Sequence, residues 1–190
     1  MTLKSIDSPK LVNLIKAGNV GVIPTDTVYG LVCSALDPDA VARLYGLKNR
    51  TDKPGTVIAA NMKQLEELGL KKRYLKAVED FWPGPVSVVI PISFGIEYLT
   101  LGKGSLAVRL PSDEKLSKLL EETGPLLTTS ANHPGELPIT SAKDINTEFG
   151  KDLDFIVDGG VLSERVASAV IRIVDDTIEV IRPGHGFSLS

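Results

Sequence analysis

Three short segments hold residues whose types and spacing could act on a charged, polar ligand. Pro24-Thr25-Asp26-Thr27 follows the apolar run Val20–Ile23, so two hydroxyls and a carboxylate stand where a strand ends. Strand ends in α/β proteins form the rim on which ligands bind. A Ser/Thr or Asx turn that satisfies local backbone groups explains the same residues. Lys48-Asn49-Arg50-Thr51-Asp52-Lys53-Pro54-Gly55 puts three cations within six residues, where a helix gives way to a Pro-Gly loop. An arginine fork and mobile lysines suit phosphate oxygens. Cations near a helix C-terminus are also favoured by its dipole, so a solvated charge run is the alternative.

The third segment, Leu126-Leu127-Thr128-Thr129-Ser130-Ala131-Asn132, sets three hydroxyls and an amide at the exit of a buried strand. Such groups orient a polar ligand without charge, or they cap a turn. Arg109 lies inside Leu106-Ala107-Val108-Arg109-Leu110. A guanidinium in an apolar strand needs a buried anionic partner. That partner is either an internal carboxylate or the carboxylate or phosphate of a substrate.

Several familiar chemistries find no footing. Gly102-Lys103-Gly104-Ser105 lacks the earlier glycine of a P-loop, since Glu97 stands at that position. Neither Gly-x-Gly-x-x-Gly nor Gly-x-Ser-x-Gly occurs. The lone cysteine, Cys33, sits in an apolar run and reads as core. His133 and His185 lack metal-ligand spacing, so a closed zinc site is not expected.

The elements that must position these residues follow from local signals. Ser8-Pro9 and Asp37-Pro38 open helices, the second ending near Lys48. Further helices are expected over 63–68, 72–81, a segment capped by Ser112, and 142–149. Strands are expected at 20–23, 56–60, 86–90, 106–110, 126–129, 155–157, 169–174 and 178–181, the last two joined by a hairpin at 174–178. Interleaved strands and helices predict an α/β (α+β) fold, with a mixed sheet covered by helices. Without an internal repeat or long linker, residues 1–190 are expected to form a single domain. With 43% hydrophobic and 24% charged residues the chain should fold, and a net charge of −3 advertises no global nucleic-acid field. The start of the chain lacks a signal-peptide core, and no apolar run approaches the roughly 18 residues a spanning helix needs. A soluble, cytoplasmic protein with no membrane association is expected.

The order and spacing of these segments resemble the YrdC/TsaC family of threonylcarbamoyl-AMP synthases over nearly the whole chain. The resemblance is carried by Pro24 to Leu31, Lys48 and Arg50, Trp82-Pro83-Gly84-Pro85-Val86, Ser105 to Pro111, Ser130-Ala131-Asn132 and Ile181-Arg182-Pro183-Gly184. It implies a twisted mixed sheet around a deep, positively lined cavity. It also implies condensation of L-threonine, bicarbonate or CO2, and ATP into threonylcarbamoyl-AMP and pyrophosphate. Mg2+ would accompany ATP, with no metal ligand from protein side chains. The product would serve a tRNA threonylcarbamoyl transferase machinery acting on adenosine 37 of tRNAs that read ANN codons, and weak contact with tRNA is a further candidate interaction.

By the same resemblance, Lys48, Arg50 and Lys53 would meet the ATP phosphates, with Lys48 and Arg50 as the catalytic pair. Ser105, Ser130, Asn132 and Arg182 would hold the nucleotide. Thr27, Arg109 and Thr128 would surround threonine, Arg109 facing its carboxylate. Two departures concern loop geometry: Thr51 stands where the family often has proline, and Ser168-Ala169 where it commonly has Ser-Thr. The chain resembles the short form without an extra C-terminal domain. Two readings within the fold compete: a relative that has lost the chemistry, and a carbamoyl-adenylate module of the hydrogenase-maturation type. A third is a non-enzymatic RNA-binding translation or ribosome-assembly factor.

Overall fold

The computed structural model describes residues 1–92, 94–175 and 177–185. Among the described residues, ten strands form one mixed sheet: β1 (Thr2–Leu3), β2 (Gly21–Pro24), β3 (Tyr29–Ser34), β4 (Thr56–Ile58), β5 (Val86–Pro91), β6 (Ser105–Arg109), β7 (Leu126–Ser130), β8 (Phe155–Val157), β9 (Ala169–Val174) and β10 (Thr177–Arg182). Their spatial order is β1-β8-β2-β3-β7-β4-β6-β5-β9-β10. The described residues also form the α-helices α1 (Pro9–Lys16), α2 (Pro38–Leu47), α3 (Met62–Glu67), α4 (Lys72–Lys76), α5 (Glu114–Thr123) and α6 (Ala142–Phe149).

Strand residues alternate between the two faces of a sheet, and the core divides accordingly. Leu31 and Cys33 of β3, Leu127 of β7, Val57 of β4 and Val88 of β5 pack with Val41 and Leu44 of α2, Leu65 of α3 and Leu75 of α4. Their neighbours Val32, Ile58, Leu126 and Phe155 face the other way, onto Leu11 and Ile15 of α1 and Leu116, Leu119 and Leu120 of α5. Burial on both faces makes β3 continuously apolar, without the period-two signature of a half-exposed strand. For that reason β3 was not expected from the sequence, although it lies at the centre of the sheet.

Other local expectations needed correction. Asp37 does cap α2, accepting from the N–H groups of Asp39 and Ala40. Ser8 occupies the cap position of α1 without a side-chain bond. The cap of α5 is Asp113, whose carboxylate accepts from Leu116 N–H, rather than Ser112. The helix expected over 72–81 stops at Lys76, and a 3-10 turn follows at Glu79–Phe81. The expected hairpin pairs Val174 with Thr177; Asp176, within the expected turn, lies outside the described residues. No helix among the described residues is long and apolar enough to cross a membrane.

Gly21 shows how tightly β2 and β8 are fitted. A Cβ there would lie 2.3 Å from the ring of Phe155, which is fully buried. Alanine is ordinarily better than glycine in a strand, but overpacking should win. Gly21→Ala is expected to lose about 1–3 kcal/mol of stability, read as a lower urea midpoint. An unchanged midpoint would mean that the ring has room to move.

Candidate active site

Beyond the area packed against α1 and α5, the same sheet face lines a cavity of about 520 Å3. The alternation that buries Leu106 and Val108 turns Ser105, Ala107 and Arg109 of β6 into this space. Val89 of β5, Val170 and Arg172 of β9, and Thr128 and Ser130 of β7 join them. Thr25, Thr27 and Gly30 close one side, and the loop from Arg50 to Thr56 another. Two glycines permit this approach: a Cβ on Gly55 would lie 2.8 Å from Thr128 O, and one on Gly30 2.5 Å from Thr128 Oγ1.

Arg109 sits where the α5-side core meets the cavity, opposite Ile58 in the sheet register. Its Nη1 donates to both carboxylate oxygens of Asp26, at 2.7 and 2.6 Å. The two side chains are only 3% and 9% exposed. The internal partner anticipated as one alternative is therefore present, and it comes from the Pro24–Thr27 segment itself. Asp26 also accepts from Ser112 N–H at 3.4 Å. Nε of Arg109 is buried without a partner, a condition that costs about 1–3 kcal/mol and marks the guanidinium as able to take another acceptor. Both readings of the segment hold at once: Thr25 Oγ1 organises a turn by accepting from the N–H groups of Thr27 and Val28, while Thr27 lines the cavity.

The cationic loop is divided by the end of α2. Lys48 caps the helix and Asn49 adopts φ +47°, a left-handed terminator. The chain reversal sends Lys48 inward and Arg50 toward the cavity. Lys48 is 2% exposed and does not line the cavity. Its ammonium donates to Ser130 O, Asn132 O and Asn132 Oδ1. Ser130 Oγ also donates to Asn132 Oδ1, and Asn132 Nδ2 donates to Glu136 O. Lys48 and Asn132 thus form a bonded support behind the cavity wall rather than part of its surface, because their polar atoms are already committed to each other and to backbone. Burial, then repulsion from Arg50, pulls the Lys48 pKa from 10.5 down to about 8, with Glu136 acting in the opposite sense.

Arg50, Lys53, Ser105, Ser130, Thr27, Thr128, Arg109 and Arg182 all reach the cavity wall. Arg50 is braced by its own loop, donating to Lys53 O and Pro54 O. Arg182 is anchored by Ser168, donating to its carbonyl at 2.7 Å. Burial, then the nearby guanidinium groups of Arg50 and Arg109, lowers the Arg182 pKa, which places the three groups close to one another. Gly184 permits this anchoring, since a Cβ there would be 2.4 Å from Ala167 O. The departure from Ser-Thr, at Ala169, falls next to this anchor.

Sequence reasoning missed two cations on the wall, Lys103 and Arg172. Lys103 stands between Gly102 and Gly104, at φ +78° and +66°; paired glycines around a lysine were its signal, obscured by the search for a P-loop. Arg172 pairs with Glu179 on the adjoining strand. Among the described residues the wall carries six cationic side chains and one carboxylate, Asp52. Cys33 is fully buried, and its thiol is pushed up to about 12 by burial, so it offers no nucleophile.

The family model Sua5/YciO/YrdC, described as telomere recombination, matches residues 13–184. The chain belongs to the Sua5/YciO/YrdC family. Among its Sua5/YciO/YrdC relatives is the threonylcarbamoyl-AMP synthase of Pyrococcus abyssi, 35% identical over 175 residues, covering 90% of this chain and 52% of that protein. The threonylcarbamoyl-AMP synthase of Coxiella burnetii is 38% identical over 154 residues, covering 78% of this chain and 82% of that protein. The structure of P. abyssi Sua5 complexed with L-threonine superimposes with a TM-score of 0.83 at 32% identity, covering 97% of this chain and 57% of that one. The chain therefore spans about half of the Pyrococcus protein and most of the Coxiella one. Escherichia coli YciO, at 24% identity and a TM-score of 0.82, shares the Sua5/YciO/YrdC fold.

The buried ammonium gives a measurable pH signature. Folded protein releases the Lys48 proton near pH 8 and the unfolded chain near 10.5. Between those values the unfolded state binds more protons, so this group favours folding increasingly as pH rises. The stability difference, wild type minus Lys48→Met, should widen from about pH 7.5 to about pH 10 in chemical denaturation. A flat or narrowing difference would place the ammonium in a solvated setting.

Proposed function

We propose that the protein is a threonylcarbamoyl-AMP synthase. It would condense L-threonine, bicarbonate or CO2, and ATP into threonylcarbamoyl-AMP and pyrophosphate, by nucleotidyl transfer. The observation that carries this reading is the cavity: Arg50, Lys53, Lys103 and Arg182 line the same space as Arg109, Thr27 and Thr128. Two anions of different kind, a triphosphate and an amino-acid carboxylate, suit such a wall. The names of relatives at 32–38% identity support the same reading.

The chemistry asks mainly for positioning. The neutral amine of threonine adds to CO2, releasing a proton and forming a carbamate. A carbamate oxygen attacks the α-phosphorus of ATP, and the bond to the pyrophosphate oxygen breaks. Negative charge gathers on phosphoryl oxygens during this step, and fixed cations in a partly enclosed site stabilise it most. Arg50, Lys53 and Arg182 are the residues for that task, Ser105 and Ser130 the polar contacts for the nucleotide. Lys48 and Asn132 would contribute by holding the Ser130 turn in place. Mg2+ would come with the triphosphate and neutralise part of its charge; among the described residues no group of three or more His, Cys, Asp or Glu side chains is placed for a metal ion. In this reading residues 1–190 act as one domain in the cytoplasm and pass the product to a tRNA threonylcarbamoyl transferase machinery.

The test is direct: incubation with ATP, bicarbonate and labelled threonine should release pyrophosphate and form a threonylcarbamoyl adenylate. RNA binding without product would instead favour a non-enzymatic factor of the same fold. Arg50→Ala should lower kcat/KM for ATP on the order of 100-fold, the usual scale for losing one charge-stabilising donor. A variant with unaltered ATP dependence would remove Arg50 from the phosphate site.

A further inference from the structure

The six cations found on the cavity wall among the described residues are not equivalent: Arg109 holds a buried carboxylate, Arg172 shares an exposed one with Glu179, and the other four hold none. Asp26 engages Arg109 through both oxygens at 2.6 and 2.7 Å, and the pair is almost wholly buried. The pair is net neutral in a setting where water screens little. Among the described residues Arg50, Lys53 and Lys103 form no ion pair, and Arg182 is held by serine oxygens rather than by a carboxylate. The cavity therefore carries two kinds of anion site: a cluster with surplus positive charge, and a charge-compensated guanidinium with a donor to spare.

A guanidinium has five N–H donors in a fixed plane. Asp26 takes those of Nη1, while Nε is buried and unpartnered. The second carboxylate a guanidinium accepts must then come on another edge, and it must tolerate Asp26 nearby. A monoanionic carboxylate with one or two hydrogen bonds to make meets both conditions. A phosphate carrying two or more charges does not, since Asp26 repels it while the neighbouring cluster offers uncompensated cations.

We infer that Asp26 is a positioning and specificity-determining residue: it fixes the plane of Arg109 and offsets its charge, so that Arg109 selects a monocarboxylate over phosphate. The inference rests on the proposed reaction for the identity of the carboxylate, that of the amino-acid substrate, but its electrostatic content concerns the pocket alone. Asp26 touches the substrate only through Arg109. The backbone of the same segment is held separately, by the Thr25 turn and by Arg165 donating to Thr25 O, so the segment does not depend on Asp26 for its shape.

Binding of L-threonine and of a non-hydrolysable ATP analogue is measured by calorimetry, without turnover, on the wild type, Asp26→Asn and Asp26→Glu. Asp26→Asn should weaken threonine binding about tenfold and leave the ATP analogue within about twofold. In the same variant inorganic phosphate should compete with threonine, which it should not do in the wild type. Asp26→Glu, which keeps the charge, should restore the exclusion of phosphate. Where Asp26→Asn fails to fold, the wild type still tests the idea: phosphate should displace the ATP analogue and not threonine. Equal weakening of both ligands, or phosphate competing with threonine in the wild type, would overturn the assignment. If these binding results hold but no pyrophosphate forms on turnover, the proposed reaction fails and the anion sorting stands.

Discussion

The structure depends on one geometric constraint: a single sheet of ten strands whose two faces are given different work by the period of two along each strand. On one face Leu31, Cys33, Val57, Leu106, Val108 and Leu127 disappear under α2, α3 and α4. On the other, α1 and α5 cover the region of β8, β2 and β3, and the cavity occupies the region of β6, β5 and β9. The same alternation that makes a core thus produces a polar wall, because Ser105, Ala107 and Arg109 are the necessary counterparts of Leu106 and Val108. A one-residue slip of β6 would bury a serine and an arginine under α2–α4 and expose two aliphatics to the cavity. The hydrophobic core and the site therefore enforce each other's register.

A second economy operates at the end of α2. Two cations separated by one residue would both project into solvent if the helix simply frayed. The left-handed turn at Asn49 sends them to different places. Lys48 becomes a buried clasp on the β7 exit, joining an element from the first quarter of the chain to one more than eighty residues later. Arg50 becomes part of the wall. The clasp is charged below about pH 8 and buried, so it gains from its three oxygen acceptors and suffers from desolvation. Such an arrangement is poor value for stability alone. It makes sense where the geometry of Ser130 matters more than the free energy of its support.

Much of this was legible in the sequence, for reasons that can be named. Caps at Asp37 and glycine or asparagine terminators mark helices by local hydrogen bonding, and α6 and β8 fell where pattern placed them. What stayed hidden was whatever depends on distant partners. β3 carries no alternation because both its faces are covered. Lys48 looked like the other cations of its run, since nothing local distinguishes an ammonium that will meet Asn132. Arg109 signalled a need for an anionic partner, but eighty-three residues separate it from Asp26 and only the fold joins them. Lys103 was visible as a lysine between glycines and was set aside because it fitted no known phosphate loop.

The inert chemistry of the protein's own groups completes the account. The one thiol is held at a pKa of about 12 inside the core, and the ring of His133 bonds Glu148 on the surface, away from the cavity wall. What the wall does offer is charge, placed on rigid strand and loop backbone, with glycines at 30, 55 and 184 removing the side chains that would hold its segments apart. A reaction between two bound substrates needs little more than this, since orientation and fixed positive charge can supply most of the rate without a covalent intermediate. The burden then falls on keeping two anions in separate, correctly ordered places. In this cavity that order follows from the buried carboxylate of Asp26, which sets Arg109 apart from Arg50, Lys53, Lys103 and Arg182.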